Sequence, residues 1–113
     1  MKLPTADQAI IDAAKFHGYL LSATHPAGRF KAKFFGRLGY GADQWGQLEA
    51  DLRGQHLAED ARLVDSTAYG QKYEIRAIRK GPSGQADLVV SVWIVRAGED
   101  SPRFVTAYPG GTP

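Results

Sequence analysis

The chain of 113 residues is long enough for one domain with its own core and too short for two, so we expect a single domain over residues 1–113. Its 43% hydrophobic and 23% charged residues are typical of a globular protein, and the lack of cysteine excludes disulfides, thiolate metal sites and cysteine nucleophiles. The formal net charge of +2 is too small to indicate a nucleic-acid partner by itself, and no apolar run reaches the length of a membrane span.

Three helices are predicted in the N-terminal half of the chain. The first begins with a capping box at Thr5–Gln8 and continues as an amphipathic pattern to about Ser22. The second covers Phe30–Leu38 and has Gly39 as its C-cap. The third covers Asp43–Gly54, with the aspartate as its N-cap. The phenylalanines of the second helix recur at helical spacing, which favours a role in the core.

The second half of the chain changes from helical spacing to alternation. The predicted strands are separated by short turns rich in glycine and proline, and they cover Arg62–Ala68, Lys72–Lys80, Leu88–Val95 and Arg103–Tyr108. Helices followed by consecutive strands with short loops indicate an α+β fold. We therefore expect N-terminal helices packed on a four-stranded antiparallel meander sheet.

The faces of two strands can be predicted from this alternation. In the second strand, Glu74 and Arg76 lie opposite the face that carries Tyr73, Ile75 and Ala77. In the last strand, Phe104, Thr106 and Tyr108 are expected to share one face. A cluster of titratable or hydroxyl groups on one sheet face is a candidate site.

Charge is distributed unevenly along the chain. Residues 13–42 contain five lysines and arginines and no acid, whereas residues 43–71 contain six acids and two arginines. The basic stretch includes the run His25–Phe35, in which a histidine before a Pro/Gly turn is followed by three cations. Either these are solvated faces of two elements, or they form a basic concavity beside an acidic shoulder.

Several blocks of the sequence resemble an uncharacterised family of small bacterial domains. They are His25-Pro-x-Gly-x-x-Lys31-Ala-x-Phe34-Phe35, Leu38-Gly-Tyr40, Gly70-x-x-Tyr73, Trp93-Ile94 and Val105-Thr-Ala-Tyr-Pro109. Members of that family occur alone and as C-terminal parts of toxin-like proteins. The order of elements is also similar to the barnase–EndoU–colicin–RelE class of ribonuclease toxins, whose active sites lie on the sheet face with a helix-borne His or Lys. The resemblance implies cleavage of RNA.

Cleavage of RNA without a metal needs a base for the 2′-hydroxyl, cations for the phosphorane charge and an acid for the leaving oxygen. The candidate catalytic residues are His25, Lys31, Thr106 and Tyr108. Each also has a purely structural reading, because His25 can hydrogen-bond within its turn, Lys31 can be solvated, and threonine and tyrosine are good strand formers. A non-catalytic module that binds protein or nucleic acid is the alternative function.

Further residues are assigned weaker roles. Candidate phosphate-binding cations are Arg29, Lys33, Arg53 and Arg103. His17 falls on the apolar stripe of the first helix, where packing is expected, and His56 is expected at the surface.

The expected partners follow from the same hypothesis. We expect RNA as substrate, a cognate antitoxin or immunity protein, no cofactor and no membrane. We also expect residence in the cytoplasm, or delivery into the cytoplasm of a target cell.

Overall fold

The computed structural model describes residues 2–3, 5–12, 29–41, 44–54 and 56–110, with the backbone alone at residues 29, 30 and 58. Two helices, α1 (Arg29–Leu38) and α2 (Trp45–Gly54), precede four strands. The strands are β1 (Ala61–Thr67), β2 (Gly70–Lys80), β3 (Ala86–Arg96) and β4 (Arg103–Pro109). They pair antiparallel in the order β1-β2-β3-β4, which confirms the α+β meander. Neither α1 nor α2 is long and apolar enough to cross a membrane.

The second and third predicted helices correspond to α1 and α2. Gly39 has a φ of 104° directly after α1, as its role as a C-cap requires. A side chain at this position would meet the next element closely, because an added Cβ would lie 2.6 Å from the amide nitrogen of Ser83. The end of α1 and the β2–β3 turn are therefore packed backbone to backbone.

The start of the first predicted helix is wrong. Thr5 has a left-handed φ of 51° and its side chain makes no capping bond, and within the described residues 5–12 it is followed by a single 3₁₀ turn, Ala6–Gln8. The amide of Ile10 donates to the carbonyl of Pro102 at 2.8 Å, and its carbonyl accepts from the amide of Phe104 at 2.9 Å. Because Ile10 is paired with the backbone at the start of β4, it cannot continue a helix.

Three further sequence expectations cannot be compared with the structure. The predicted first helix beyond residue 12, the packing of His17 and the Asp43 cap all lie outside the described residues.

One face of the sheet, which we call the helical face, packs against α1 and α2. Trp93 lies at its centre with 0% exposure, and its ring meets that of Phe104 edge to face at 5.3 Å between centroids. Phe35, Leu38 and Leu52 supply the helical side of the same core. Each Å² of apolar surface removed from water contributes roughly 25 cal/mol to the free energy of folding, so this layer is the main source of stability.

His56 belongs to this core, and the expectation that it is a surface residue is wrong. Its side chain is fully buried between α2 and β3, with Nδ1 2.7 Å from the Ser91 hydroxyl and Nε2 3.1 Å from the Val89 carbonyl. A carbonyl can only accept, so Nε2 carries the proton and Nδ1 accepts from Ser91. The indole of Trp93 donates to the same hydroxyl at 2.8 Å. Burial is the main cause that lowers the pKa of His56 to about 4.

A β-bulge changes the predicted faces of β4. Thr106 pairs with Val92, but Phe104 pairs with Trp93, so Val105 is an extra residue in β4. The alternation shifts by one residue there, and Phe104 faces the helices whereas Thr106 points to the opposite side. The expectation that Phe104 shares a face with Thr106 and Tyr108 is therefore wrong.

His56 should make stability depend on pH. Its pKa is lower in the folded chain than in the unfolded chain, so the stability is fully present above about pH 6.5 and is lost as the pH falls toward about 4. Between pH 7.5 and pH 5 we expect a loss of about 2 kcal/mol in the free energy of unfolding. Urea unfolding at both pH values measures it. His56→Gln removes the titrating group, and an equal loss in that variant would contradict the assignment.

Two glycines near α1 provide a matched pair of substitutions. Gly39→Ala should lower the free energy of unfolding by about 1–3 kcal/mol, because it combines a positive φ with a backbone clash. Gly36→Ala, in the interior of α1 with no atom within 4 Å of the added Cβ, should be neutral or stabilise by up to about 1 kcal/mol. Denaturant unfolding of both variants tests this packing, and equal effects would refute it.

Candidate active site

Lys31 and Thr106 are in direct contact. Lys31 lies in the first turn of α1, and its ammonium Nζ donates to Thr106 Oγ1 at 3.0 Å. The contact joins residues 75 positions apart and is partly buried. Because β4 is the edge strand, Lys31 reaches Thr106 at the edge of the sheet, although the bulge at Val105 turns Thr106 away from the helical face. The two residues that the sequence placed in one candidate site are therefore neighbours.

Tyr108 lies two residues further along β4 on the same side of the sheet. Its hydroxyl donates to Glu74 Oε2 at 3.1 Å, and the carboxylate of Glu74 also lies 3.6 Å from a guanidinium nitrogen of Arg62. The Glu74 side chain is 18% exposed, whereas that of Arg62 is 75% exposed. Burial raises the pKa of the Tyr108 phenol, and the negative charge and hydrogen bond of Glu74 raise it further. Tyr108 is thus neutral at physiological pH.

These two pairs form one polar line across the sheet. Glu74 is opposite Val92 on β3, and Val92 is opposite Thr106, so the Cα atoms of Glu74 and Thr106 are about 10 Å apart. Thr106 and Tyr108 are about 7 Å apart along β4. We call this side of the sheet the second face. Its polar line comprises Lys31, Thr106, Tyr108 and Glu74.

Glu74 was not among the sequence candidates. The signal was present, because alternation along β2 already separates Glu74 from the apolar face of Tyr73, Ile75 and Ala77. What alternation cannot supply is the partner strand, since the contact with Tyr108 crosses β3.

The remaining candidates divide into three groups. His25 and the side chain of Arg29 lie outside the described residues. Lys33 is exposed on α1. Arg53 binds the carbonyl of Ala9 at 2.7 Å and Glu49 at 3.1 Å, so it joins α2 to the N-terminal segment. Neither of these contacts brings Arg53 to Lys31 or Thr106.

Arg103 has a partner of its own. Its guanidinium donates from Nε and from a terminal nitrogen to the two carboxylate oxygens of Glu99, at 3.0 Å and 3.2 Å. This bidentate pair lowers the pKa of Glu99 and fixes the plane of the guanidinium. Arg103 pairs with Ile94 across β3 and β4, next to the Val92–Thr106 pair.

Positive charge dominates the described residues of the second face. Strand register and alternation give this face two acids, Asp65 and Glu74. The cations on the same face are Arg62, Lys72, Arg76, Lys80, Arg96 and Arg103, with Lys31 at the β4 edge. Within the described residues, no group of three or more His, Asp or Glu side chains could hold a metal ion. The face therefore offers mainly cations and hydroxyls to an anionic ligand.

A family model described as "Domain of unknown function (DUF6883)" matches residues 2–111. The chain belongs to this family. The match covers nearly the whole sequence. No curated protein matches the chain.

Two chains among the solved structures match this protein, and one of them has an informative context. It is a chain of the contact-dependent growth inhibition toxin–immunity protein complex from Klebsiella pneumoniae 342. The sequences are 26% identical, the TM-score is 0.69, and the match covers 88% of this chain and 98% of that chain. The similarity thus extends over most of the chain, and the neighbour that shares this fold belongs to a toxin–immunity complex.

The Glu74–Tyr108 contact can be tested by titration. Glu74→Gln should lower the pKa of Tyr108 toward its ordinary value but not reach it, because burial still disfavours the phenolate. Ring-labelled tyrosine followed by NMR from neutral to alkaline pH reports this change. Lys33→Gln, a change on exposed α1 surface, serves as control and should leave the pKa of Tyr108 where it is. An unchanged pKa in Glu74→Gln would contradict the contact.

Proposed function

We propose that this DUF6883 domain is a small metal-independent ribonuclease of bacterial toxin type. The observation that carries the proposal is the contact between Lys31 Nζ and Thr106 Oγ1, one strand repeat from Tyr108. A cation, a hydroxyl and a phenol–carboxylate pair on one cationic sheet face are groups that a phosphodiester in RNA can use. The similarity to a chain of a toxin–immunity complex supports the toxin assignment.

The proposed reaction is attack of the ribose 2′-oxygen on the adjacent phosphorus. The bond from the 2′-oxygen to phosphorus forms as the bond from phosphorus to the 5′-oxygen breaks, which leaves a 2′,3′-cyclic phosphate and a free 5′-hydroxyl. Negative charge accumulates on the non-bridging oxygens in the transition state. Lys31 is assigned the stabilisation of this charge, with Thr106 orienting its ammonium group.

Tyr108 and Glu74 are assigned removal of the 2′-hydroxyl proton. The phenol proton already points to Glu74 Oε2, so a lone pair of the phenol oxygen is available to accept a hydrogen bond. The 2′-hydroxyl proton passes to the phenol oxygen as the phenol proton passes to the carboxylate. Tyr108 ends the step neutral and Glu74 ends it protonated, so charge and protons balance.

The acid and the outer phosphate contacts complete the proposal. His25 is assigned protonation of the leaving 5′-oxygen, because imidazole is the side chain that exchanges protons near neutral pH. Arg29 and Lys33 follow His25 and flank Lys31 in the sequence, and they are assigned contacts with neighbouring phosphates.

Charge favours the toxin role over the immunity role. Immunity proteins that block a nuclease must complement its cationic site and are expected to be acidic. This chain has a formal net charge of +2, and its second face carries more cations than acids. We therefore propose an acidic immunity protein as its partner and the cytoplasm of a target cell as the place where it acts.

A set of matched variants tests the ribonuclease proposal. Purified protein is incubated with total bacterial RNA in EDTA, and cleavage is followed by gel and by detection of cyclic phosphate ends. Lys31→Ala should reduce the rate about 100- to 1,000-fold, as removal of one hydrogen-bond donor to the transition-state oxyanion does in other enzymes. Lys33→Ala, the same change two residues along α1, should reduce it only a few fold. Tyr108→Phe and His25→Ala should each reduce it strongly.

Growth and folding measurements show whether a loss of cleavage reflects a loss of activity or a loss of the fold. Induction of the wild-type gene should arrest bacterial growth, and Lys31→Ala should relieve the arrest while the thermal unfolding midpoint stays near that of the wild type. Intact RNA with every variant, wild type included, would refute the ribonuclease assignment. If the protein nevertheless binds RNA, the non-catalytic binding module becomes the better description.

A further inference from the structure

A cleft lies beside the candidate active site, at the end of the second face where β4 begins. It has a volume of about 180 Å³, with apolar walls from Ile10, Ile94 and Val105 and polar groups from Arg96, Arg103 and Asp12. The backbone pairing of Ile10 with the start of β4 fixes one wall. The volume is below the roughly 300–1,000 Å³ of pockets that enclose drug-sized ligands, so it suits a single ring system.

The position of the cleft relative to Lys31 and Thr106 is set by strand register. Thr106 is opposite Val92, and Arg103 is opposite Ile94, two residues further along β3. The cleft therefore begins about 7 Å from the Thr106 position along the sheet. That is a distance which one nucleotide of an extended strand can span.

The two arginines of the cleft differ in what they can bind. Glu99 neutralises Arg103 and holds its guanidinium plane in a bidentate pair, which suits a flat stacking surface rather than a phosphate contact. Arg96 is exposed, and its charge also acts on Glu99, but no hydrogen bond or salt bridge joins its side chain to the described residues. Arg96 therefore remains available as a point of attraction for a phosphate.

We propose that this cleft is a nucleobase subsite for single-stranded RNA. The base beside the scissile phosphate stacks on the Arg103 guanidinium between Ile10 and Ile94, and Arg96 contacts the next phosphate. Unstacked bases in RNA are commonly held against guanidinium planes and apolar side chains, which are the surfaces present here. The proposal rests on the ribonuclease assignment for its orientation, but binding can be measured without cleavage.

The test uses oligonucleotides that cannot react. Fluorescein-labelled 2′-O-methyl RNA trimers lack the attacking hydroxyl, and a matched trimer has an abasic sugar at the central position. Fluorescence anisotropy gives the Kd of each at several salt concentrations. We expect the wild-type protein to bind the complete trimer about fivefold or more tightly than the abasic one, the low end of what stacking of one base contributes.

Two variants separate the two arginines. Arg103→Lys keeps the charge but removes the plane, and it should reduce the preference for the complete trimer to about twofold or less. Arg96→Gln should weaken binding of both trimers equally, by roughly three- to tenfold, and reduce the salt dependence by about one phosphate contact. Thermal unfolding of both variants shows whether the fold is intact.

The outcomes test the subsite proposal separately from the ribonuclease assignment. If Arg103→Lys retains the wild-type preference, or if the wild type binds the two trimers equally or not at all, the subsite proposal is overturned. Preference for the complete trimer that Arg103→Lys abolishes supports it, whether or not unmodified RNA is cleaved. Failure to cleave unmodified RNA overturns the ribonuclease assignment alone.

Discussion

The second face of the sheet depends on one extra residue in β4. Without the bulge at Val105, strict alternation would put Thr106 on the same side as Trp93 and into the apolar layer under the helices. A hydroxyl there would need a buried partner, whereas on the second face it receives a hydrogen bond from Lys31. The bulge thus lets one short strand supply Phe104 to the core and Thr106 to the polar line.

The central strand is held by polar contacts as well as by packing. Ser91 accepts from the indole of Trp93 and donates to His56, which in turn donates to the carbonyl of Val89. Removing any member would leave a buried polar group unsatisfied, at a cost of about 1–3 kcal/mol. The bonds also require one position of His56 relative to β3, so they specify how α2 and the segment after it dock on the sheet.

Local patterns predicted the elements well, because most of them depend on neighbours in the sequence. Alternation, the apolar run Leu88–Val95 and the turn residues between them predicted the four strands, and the helical spacing of the phenylalanines before Gly39 predicted α1. The start of the first predicted helix failed because Ile10 pairs with β4, a contact about ninety residues away that no capping pattern contains. The prediction that His56 lies at the surface failed for the same reason, since its hydrogen-bond partners lie on β3.

Local sequence patterns also predicted only part of the candidate site, because some of its contacts join distant strands. Lys31 and Thr106 could be proposed from residue type and from the resemblance, and they are in contact. Glu74 could not, because its role follows from a hydrogen bond across β3 to Tyr108. A two-residue repeat says which side of a strand a side chain occupies, but a bulge elsewhere decides which partners it meets.

The direction of that hydrogen bond constrains any chemistry on the second face. The phenol of Tyr108 is neutral and its one proton is engaged by Glu74, so toward a ligand it acts as an acceptor. A group that accepts from a 2′-hydroxyl cannot at the same time protonate the leaving oxygen of the same phosphate. Lys31 is needed for the phosphorane charge, so the acid must be a further residue. Within the ribonuclease proposal this makes His25 indispensable rather than auxiliary.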